Sequence, residues 1–207
     1  MGNMVEATVT IKGVRPLFQH KFGPDSLPTE RQERTGVAGN DPQEWRKTAT
    51  VTSNGQLYLE PTYAFATIRE GARFVPKRRG SIVNDVVATM QCTDDRLLVD
   101  RWMPGFPNGH ACDITTIEPP AQDPEAPVYL DVRGVRNPST KARNIRYRIA
   151  ASTGWTITFN ILWDKTIVST EQMKSALDNA GKLVGIGNGR AIGMGRFNIV
   201  EFTVKDS

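Results

Sequence analysis

The chain has 207 residues, 39% of them hydrophobic, with 26 Lys and Arg against 22 Asp and Glu and a formal net charge of +4. That length allows one large domain, or a smaller one with insertions, and no stretch approaches the roughly 18 apolar residues of a membrane span. The opening Met1-Gly2-Asn3-Met4-Val5 lacks the basic and apolar regions of a secretory leader, and Cys92 and Cys112 form neither a disulfide framework nor a Cys-x-x-Cys site. These features predict a cytoplasmic protein that spans no membrane and holds no metal or cofactor.

Val5, Ala7, Val9 and Ile11 alternate with Glu6, Thr8, Thr10 and Lys12, the period of a half-buried strand, which Gly13 and Pro16 end. Residues 19–44 carry no sustained apolar period and read as an insertion. Trp45 to Val51 and Gln56 to Leu59 are β-prone runs on either side of Ser53-Asn54-Gly55, a hairpin signal. Pro61 opens a helix carrying Tyr63, Ile68, Ala72 and Val75, and Pro76 stops it. Residues 82–92 fit either a strand or a helix. Residues 103–127, rich in Pro, Gly and Asp, read as a second insertion. Its acids Asp113, Glu118, Asp123 and Glu125 would repel a phosphate chain, which puts it off any anion-binding face.

Val128 to Val135 and Arg143 to Ala150 read as strands around Asn137-Pro138-Ser139-Thr140. Trp155, Ile157, Phe159, Ile161 and Trp163 alternate with mainly polar residues, the clearest strand in the chain and a central one. Ser169 and Gln172 have capping-box spacing ahead of a helix whose core stripe is Met173, Ala176, Leu177, Ala180 and Val184. Phe197 to Val204 closes the chain as a strand. This order predicts an α+β fold, helices on one face of an antiparallel sheet, within a single domain spanning 1–207.

Between the last helix and the last strand, Gly185, Gly187, Gly189, Gly193 and Gly195 put five glycines within eleven residues. Glycine permits positive φ and leaves main-chain amides uncovered, so the loop can cradle an anion. Asn188 lies in the same loop, and Arg190 and Arg196 add bidentate donors suited to phosphate. A P-loop is excluded because Gly195 is followed by Arg196-Phe197 and a strand. A dinucleotide fingerprint is excluded because the loop leaves a helix and enters a strand. The remaining alternative is a helix C-cap at Gly185 followed by a turn that merely packs tightly.

The spacing Gly-Ile-Gly, five residues, Gly-Met-Gly over 185–195, between a last helix and a last strand, resembles the signature loop of the RAMP superfamily. These are ferredoxin-like, RRM-related RNA-binding proteins of CRISPR complexes and guide-RNA processing. The whole chain also resembles small phage and mobile-element proteins that begin with a Pro-Leu element like Pro16-Leu17 and end in Gly-Arg-Phe. The superfamily resemblance implies a ferredoxin-like fold and non-catalytic binding of a single-stranded RNA backbone. It also implies multimerisation or assembly with other subunits, with Gly185, Gly187, Gly193 and Gly195 facing the RNA. Two alternatives stay open: a metal-independent RNA endonuclease, and a phage-type single-stranded DNA-binding protein.

Arg133, Arg136, Lys141, Arg143, Arg146 and Arg148 crowd sixteen residues with no Asp or Glu among them, and Arg146 and Arg148 share a strand face opposite Tyr147. A basic hairpin laid along a phosphate backbone fits this pattern; the alternative is an edge strand protected by charge. Lys77-Arg78-Arg79 is a second basic run, placed where a helix macrodipole also favours cations. Aromatic residues are 8% and mostly core, so binding should be largely independent of base sequence. For cleavage, His20 and His110 are the candidate bases, and Asp94, Asp95 and Asp100 the nearest carboxylates for a metal.

Overall fold

A computed structural model describes residues 3–21, 23, 41–106, 113–136, 141 and 143–205. The chain divides into two units. The first comprises Met1–Leu17, Tyr58–Asp100 and Thr153–Ser207; the second comprises Phe18–Leu57 and Arg101–Ser152. Each of the second unit's segments contains one of the expected insertions.

The first unit is built on alternation. β1 (Met4–Gly13) buries Val5, Ala7, Val9 and Ile11 and turns Glu6, Thr8, Thr10 and Lys12 outward. β8 (Thr156–Asp164) pairs with it antiparallel, Val9 opposite Phe159 and Ile11 opposite Ile157, so the apolar sides of both strands lie on one face. β9 (Phe197–Lys205) pairs with the other side of β1 and forms one edge. β3 (Gln56–Leu59), β4 (Gln91–Cys92) and β5 (Leu97–Trp102) lie on the β8 side. The order β9-β1-β8-β4/β5, with α2 (Pro61–Ala72) after β1 and α4 (Thr170–Asn179) after β8, is the ferredoxin-like βαββαβ arrangement. The predicted α+β class is the observed one, and the predicted central strand pairs on both sides. Between Thr10 and Ile11 the ladder slips, leaving Val200 as an extra residue in β9.

Helix α2 begins with Pro61 at its first turn, and α4 begins with the predicted capping box. The Gln172 amide donates to Ser169 Oγ at 3.3 Å, and the Ser169 amide donates to Gln172 Oε1 at 3.0 Å. The two helices meet at Gly71, where a Cβ would lie 2.2 Å from the Ala176 carbonyl oxygen. Residues 82–92 resolve into α3 (Val83–Thr89) followed by β4.

In the second unit, β2 (Leu17–Phe18), β7 (Arg143–Ala151) and β6 (Val128–Arg136) form a three-stranded sheet in the order β2-β7-β6. The predicted Asn-Gly turn is present: Gly55 has φ +85 and the Thr52 amide donates to the Gln56 carbonyl at 2.9 Å. The strand expected over Trp45 to Val51 is corrected. Residues Glu44–Thr48 form the short helix α1, which buries Trp45 and Thr48, three apart on one face, and only Val51 bridges back, to Leu57.

Replacing Gly71 by Ala drives a methyl group into the α4 backbone, which cannot yield as a side chain would. The expected cost is about 2–3 kcal/mol, read as a lowered denaturation midpoint at unchanged m-value.

Candidate nucleic-acid interface

The glycine loop is pinned at both ends. A π-helical turn, Ala180–Val184, extends α4 and delivers the chain to Gly185, whose amide donates to the Ala180 carbonyl at 2.8 Å. On the far side the Gly195 amide donates to the Pro16 carbonyl at 2.8 Å, and the Arg196 carbonyl accepts from the Val14 amide at 2.8 Å. Trp155 fills the space left by Gly13 and stands edge-on to Phe197, with Nε1 donating to the Arg15 carbonyl at 2.8 Å. The exit of the loop is thereby fastened to the end of β1.

The loop itself has two parts. At its base the limbs touch through main chain: the Ile186 amide donates to the Gly195 carbonyl at 2.9 Å, and a Cβ on Gly195 would lie 1.8 Å from the Ile186 oxygen. Gly185, Ile186, Gly187 and Gly195 are buried, and the Gly185 carbonyl accepts from Thr67 Oγ1 at 3.0 Å. These glycines do what the tight-packing alternative requires. The tip differs. A single 3-10 turn, Arg190–Ile192, stands between left-handed Gly189 (φ +74) and Gly193 (φ +82). Nothing lies within 4 Å of a Cβ built on Gly193, and Ile192 is 55% exposed. Among the described residues the amides of Gly189, Arg190 and Ala191 have no hydrogen-bond partner. Arg190 lies beside the first turn of α2: burial and the charge of Glu60 raise the Tyr63 phenol, and Arg190 pulls it the other way. Arg196 is partly buried, and its Nη1 has no partner.

The basic hairpin also divides. Cross-strand register places Arg148 opposite Asp131, Arg133 opposite Arg146 and Arg136 opposite Arg143. Asp131 and Arg148 are 5% and 4% exposed and joined at 3.1 Å, and Arg133 Nε reaches both Asp131 oxygens at 2.8 and 2.9 Å. Both guanidinium groups also lie over the buried Phe18 ring, at 4.8 and 4.9 Å. Arg146 is bound to Glu44, which also accepts from the Tyr147 amide at 2.9 Å and contacts His20 Nε2 at 3.3 Å. The expectation that this run lacks balancing acids is therefore corrected. Asp131 sits two residues ahead of the run and Glu44 comes from α1, so Arg133, Arg146 and Arg148 serve the fold. Arg136, Lys141 and Arg143 stand exposed at the far end, and Arg136 and Lys141 have no ion-pair partner among the described residues.

Glu44 is held at a pKa of about 2. Burial alone would raise it, but the hydrogen bonds from His20, the Tyr147 amide and Arg146, with the charge of Arg146, outweigh burial. His20 is thus tied into the same cluster, and His110 lies outside the described residues. Asp94 and Asp100 accept from the amides of Asn160 and Thr156 at 2.5 and 2.6 Å, so both brace β8. No group of three or more His, Cys, Asp or Glu able to hold a metal ion occurs among the described residues, and no helix there is long and apolar enough to cross a membrane. In the other basic run, Lys77 pairs with Asp85 at 2.7 Å, while Arg78 and Arg79 are exposed.

No family model matches the chain, and no curated protein does. Among solved structures it is similar to a chain of a type III-B Cmr-beta complex bound to cognate target RNA, with a TM-score of 0.46, 10% identity, and coverage of 97% of this chain and 60% of that one. It spans about three-fifths of that chain's length. It is also similar to a chain of a type IV-B CRISPR complex, with a TM-score of 0.43, 13% identity, and coverage of 98% of this chain and 91% of that one.

Base and tip of the loop should respond differently to a methyl group. Gly193→Ala adds only left-handed backbone strain, about 1–2 kcal/mol. Gly195→Ala adds a main-chain collision and should cost about 3–4 kcal/mol, so the two unfolding curves should separate clearly. For Glu44, the folded pKa lies below the ordinary 4.5, so its contribution is complete above pH 4.5 and is lost as pH falls towards about 2. That contribution is on the order of 3 kcal/mol. Glu44→Gln should lower stability at neutral pH and flatten this acid limb in denaturant titrations.

Proposed function

We propose that the chain binds the backbone of a single-stranded nucleic acid, RNA in preference to DNA, without cutting it. It would act as a repeated or partnered subunit of a CRISPR-type or mobile-element ribonucleoprotein. The observation that carries this reading is the far end of the basic hairpin, where Arg136 and Arg143 face each other across the strands. Both are exposed, Arg136 has no ion-pair partner among the described residues, and a phosphate there would gain charge-assisted hydrogen bonds. Lys141, in the left-handed region at φ +59, adds a third cation there. The open amides at the tip of the glycine loop, beside Arg190, supply a second phosphate-binding element.

Base-specific reading has little support from the open face of the first unit's sheet. Glu6, Thr8, Thr10 and Lys12 of β1, Thr158 and Asn160 of β8, and Glu201 and Thr203 of β9 line its centre, where no aromatic ring stands for bases to stack on; towards β3, the Tyr58 ring is covered by the Arg96 guanidinium at 5.0 Å. RNA as the polymer, and assembly into a larger particle, follow from the resemblance of the Gly185–Gly195 spacing. Cleavage is the second reading, and one observation favours it: Glu44 fixes the His20 ring, as an orienting carboxylate fixes a general base.

Charge reversal at Arg136 and Arg143 should weaken binding to single-stranded RNA of any sequence by about tenfold or more, and the salt slope should fall by about 0.7 for each phosphate no longer held. Filter binding over a salt series measures both. Unchanged affinity removes the hairpin from the interface. The same labelled RNA, incubated in chelator, should remain intact; cleavage that disappears in His20→Ala would favour the second reading, and equal-sequence DNA as competitor tests the preference for RNA.

A further inference from the structure

The Lys77-Arg78-Arg79 run belongs to a miniature hairpin whose construction the helix macrodipole does not explain. The Ile82 amide donates to the Val75 carbonyl at 3.1 Å, Pro76 bridges Ser81, and the Lys77 amide donates to the Gly80 carbonyl at 3.1 Å. Arg78 and Arg79 are therefore the two residues at the tip. The positive φ of this turn falls on Gly80, at +80, so the turn makes no demand that residues 78 and 79 be arginine. A macrodipole acts within the last helical turn, and α2 ends at Ala72 with Arg73 as its cap.

Local acids are already used. Glu70 pairs with Arg69 and Arg73 at 3.0 and 2.7 Å, and Asp85 pairs with Lys77 at 2.7 Å. Residues 69–87 hold five Lys and Arg against these two acids, so the surplus falls on Arg78 and Arg79, both exposed. At the foot of this hairpin Phe74 is 54% exposed, the most exposed aromatic side chain among the described residues. Val87 on α3 is also exposed, at 45%.

We infer that this hairpin is a further contact for a single strand, in which Arg78 and Arg79 hold phosphates and one unstacked base rests on the Phe74 ring. This rests on the single-stranded nucleic-acid reading above but uses none of the residues that carry it. Exposed guanidinium groups at the tip and an exposed aromatic ring at the foot of one hairpin offer the two kinds of contact, to phosphate and to base, that alternate along a strand. A purely acidic protein partner would leave Phe74 unexplained.

The two parts should fail in different ways. Arg78→Glu with Arg79→Glu should weaken binding of a labelled single-stranded RNA about tenfold or more and lower the salt slope by about 1.4, two phosphates' worth. Phe74→Ala should weaken it roughly tenfold with the salt slope unchanged. In Phe74→Trp, affinity should persist and the added indole fluorescence should be quenched by RNA. If wild-type protein binds and these variants bind equally well, with the added indole unquenched, this inference is wrong and the parent reading stands. If the wild-type protein binds no single strand, both are wrong. If nucleic-acid affinity holds while the variants change the sedimenting mass, the hairpin is a protein contact and the inference is overturned.

Discussion

The glycine loop depends on one constraint: the main chain at Ile186 must lie against the main chain at Gly195. No side chain fits between these limbs, and both Gly185 and Gly195 have positive φ. Closing the base in this way pairs the Gly185, Ile186 and Gly195 amides within the protein and fixes where the tip emerges. Pro16, Val14 and Thr67 then tie the closed base to β1 and α2. The tip can leave amides open because the base is sealed, so the loop divides into a tightly packed base and an open tip.

The second unit shows a similar division of labour among its cations. One buried carboxylate, Asp131, neutralises two guanidinium groups stacked on Phe18, and Glu44 neutralises a third. A buried arginine without its acid would be costly, which commits Arg148 to Asp131; Arg133 and Arg146, partly exposed, are engaged by the same two acids that link β6, β7 and α1. What remains for a ligand is the outer end of the hairpin. Of the six cations from Arg133 to Arg148, three are therefore already matched by an acid, which a count along the sequence does not show.

The sheet of the first unit was legible in the sequence because alternation over nine or ten residues leaves few other options, and Ser169 with Gln172 located the start of α4 from local chemistry alone. The loop's position could be read as well, but not its division, since sealed and open glycines look alike in sequence. Three features were hidden for physical reasons. Glu44–Thr48 is too short to display a helical period, and its neighbouring Asn-Gly turn suggested strands on both sides. Asp131 meets Arg148 through cross-strand register, seventeen residues away along the chain. The second unit is assembled from two separated segments, which a reading along the chain meets as two unrelated insertions. His110 and the Asn137–Thr140 turn lie outside the described residues.

The slip in register that strands Val200 within β9 bears on growth of the sheet. A smooth nine-residue edge would invite another chain to continue the ladder, whereas an inserted residue breaks the regular alternation of donors and acceptors, and Glu201 and Lys205 place charge along the same border.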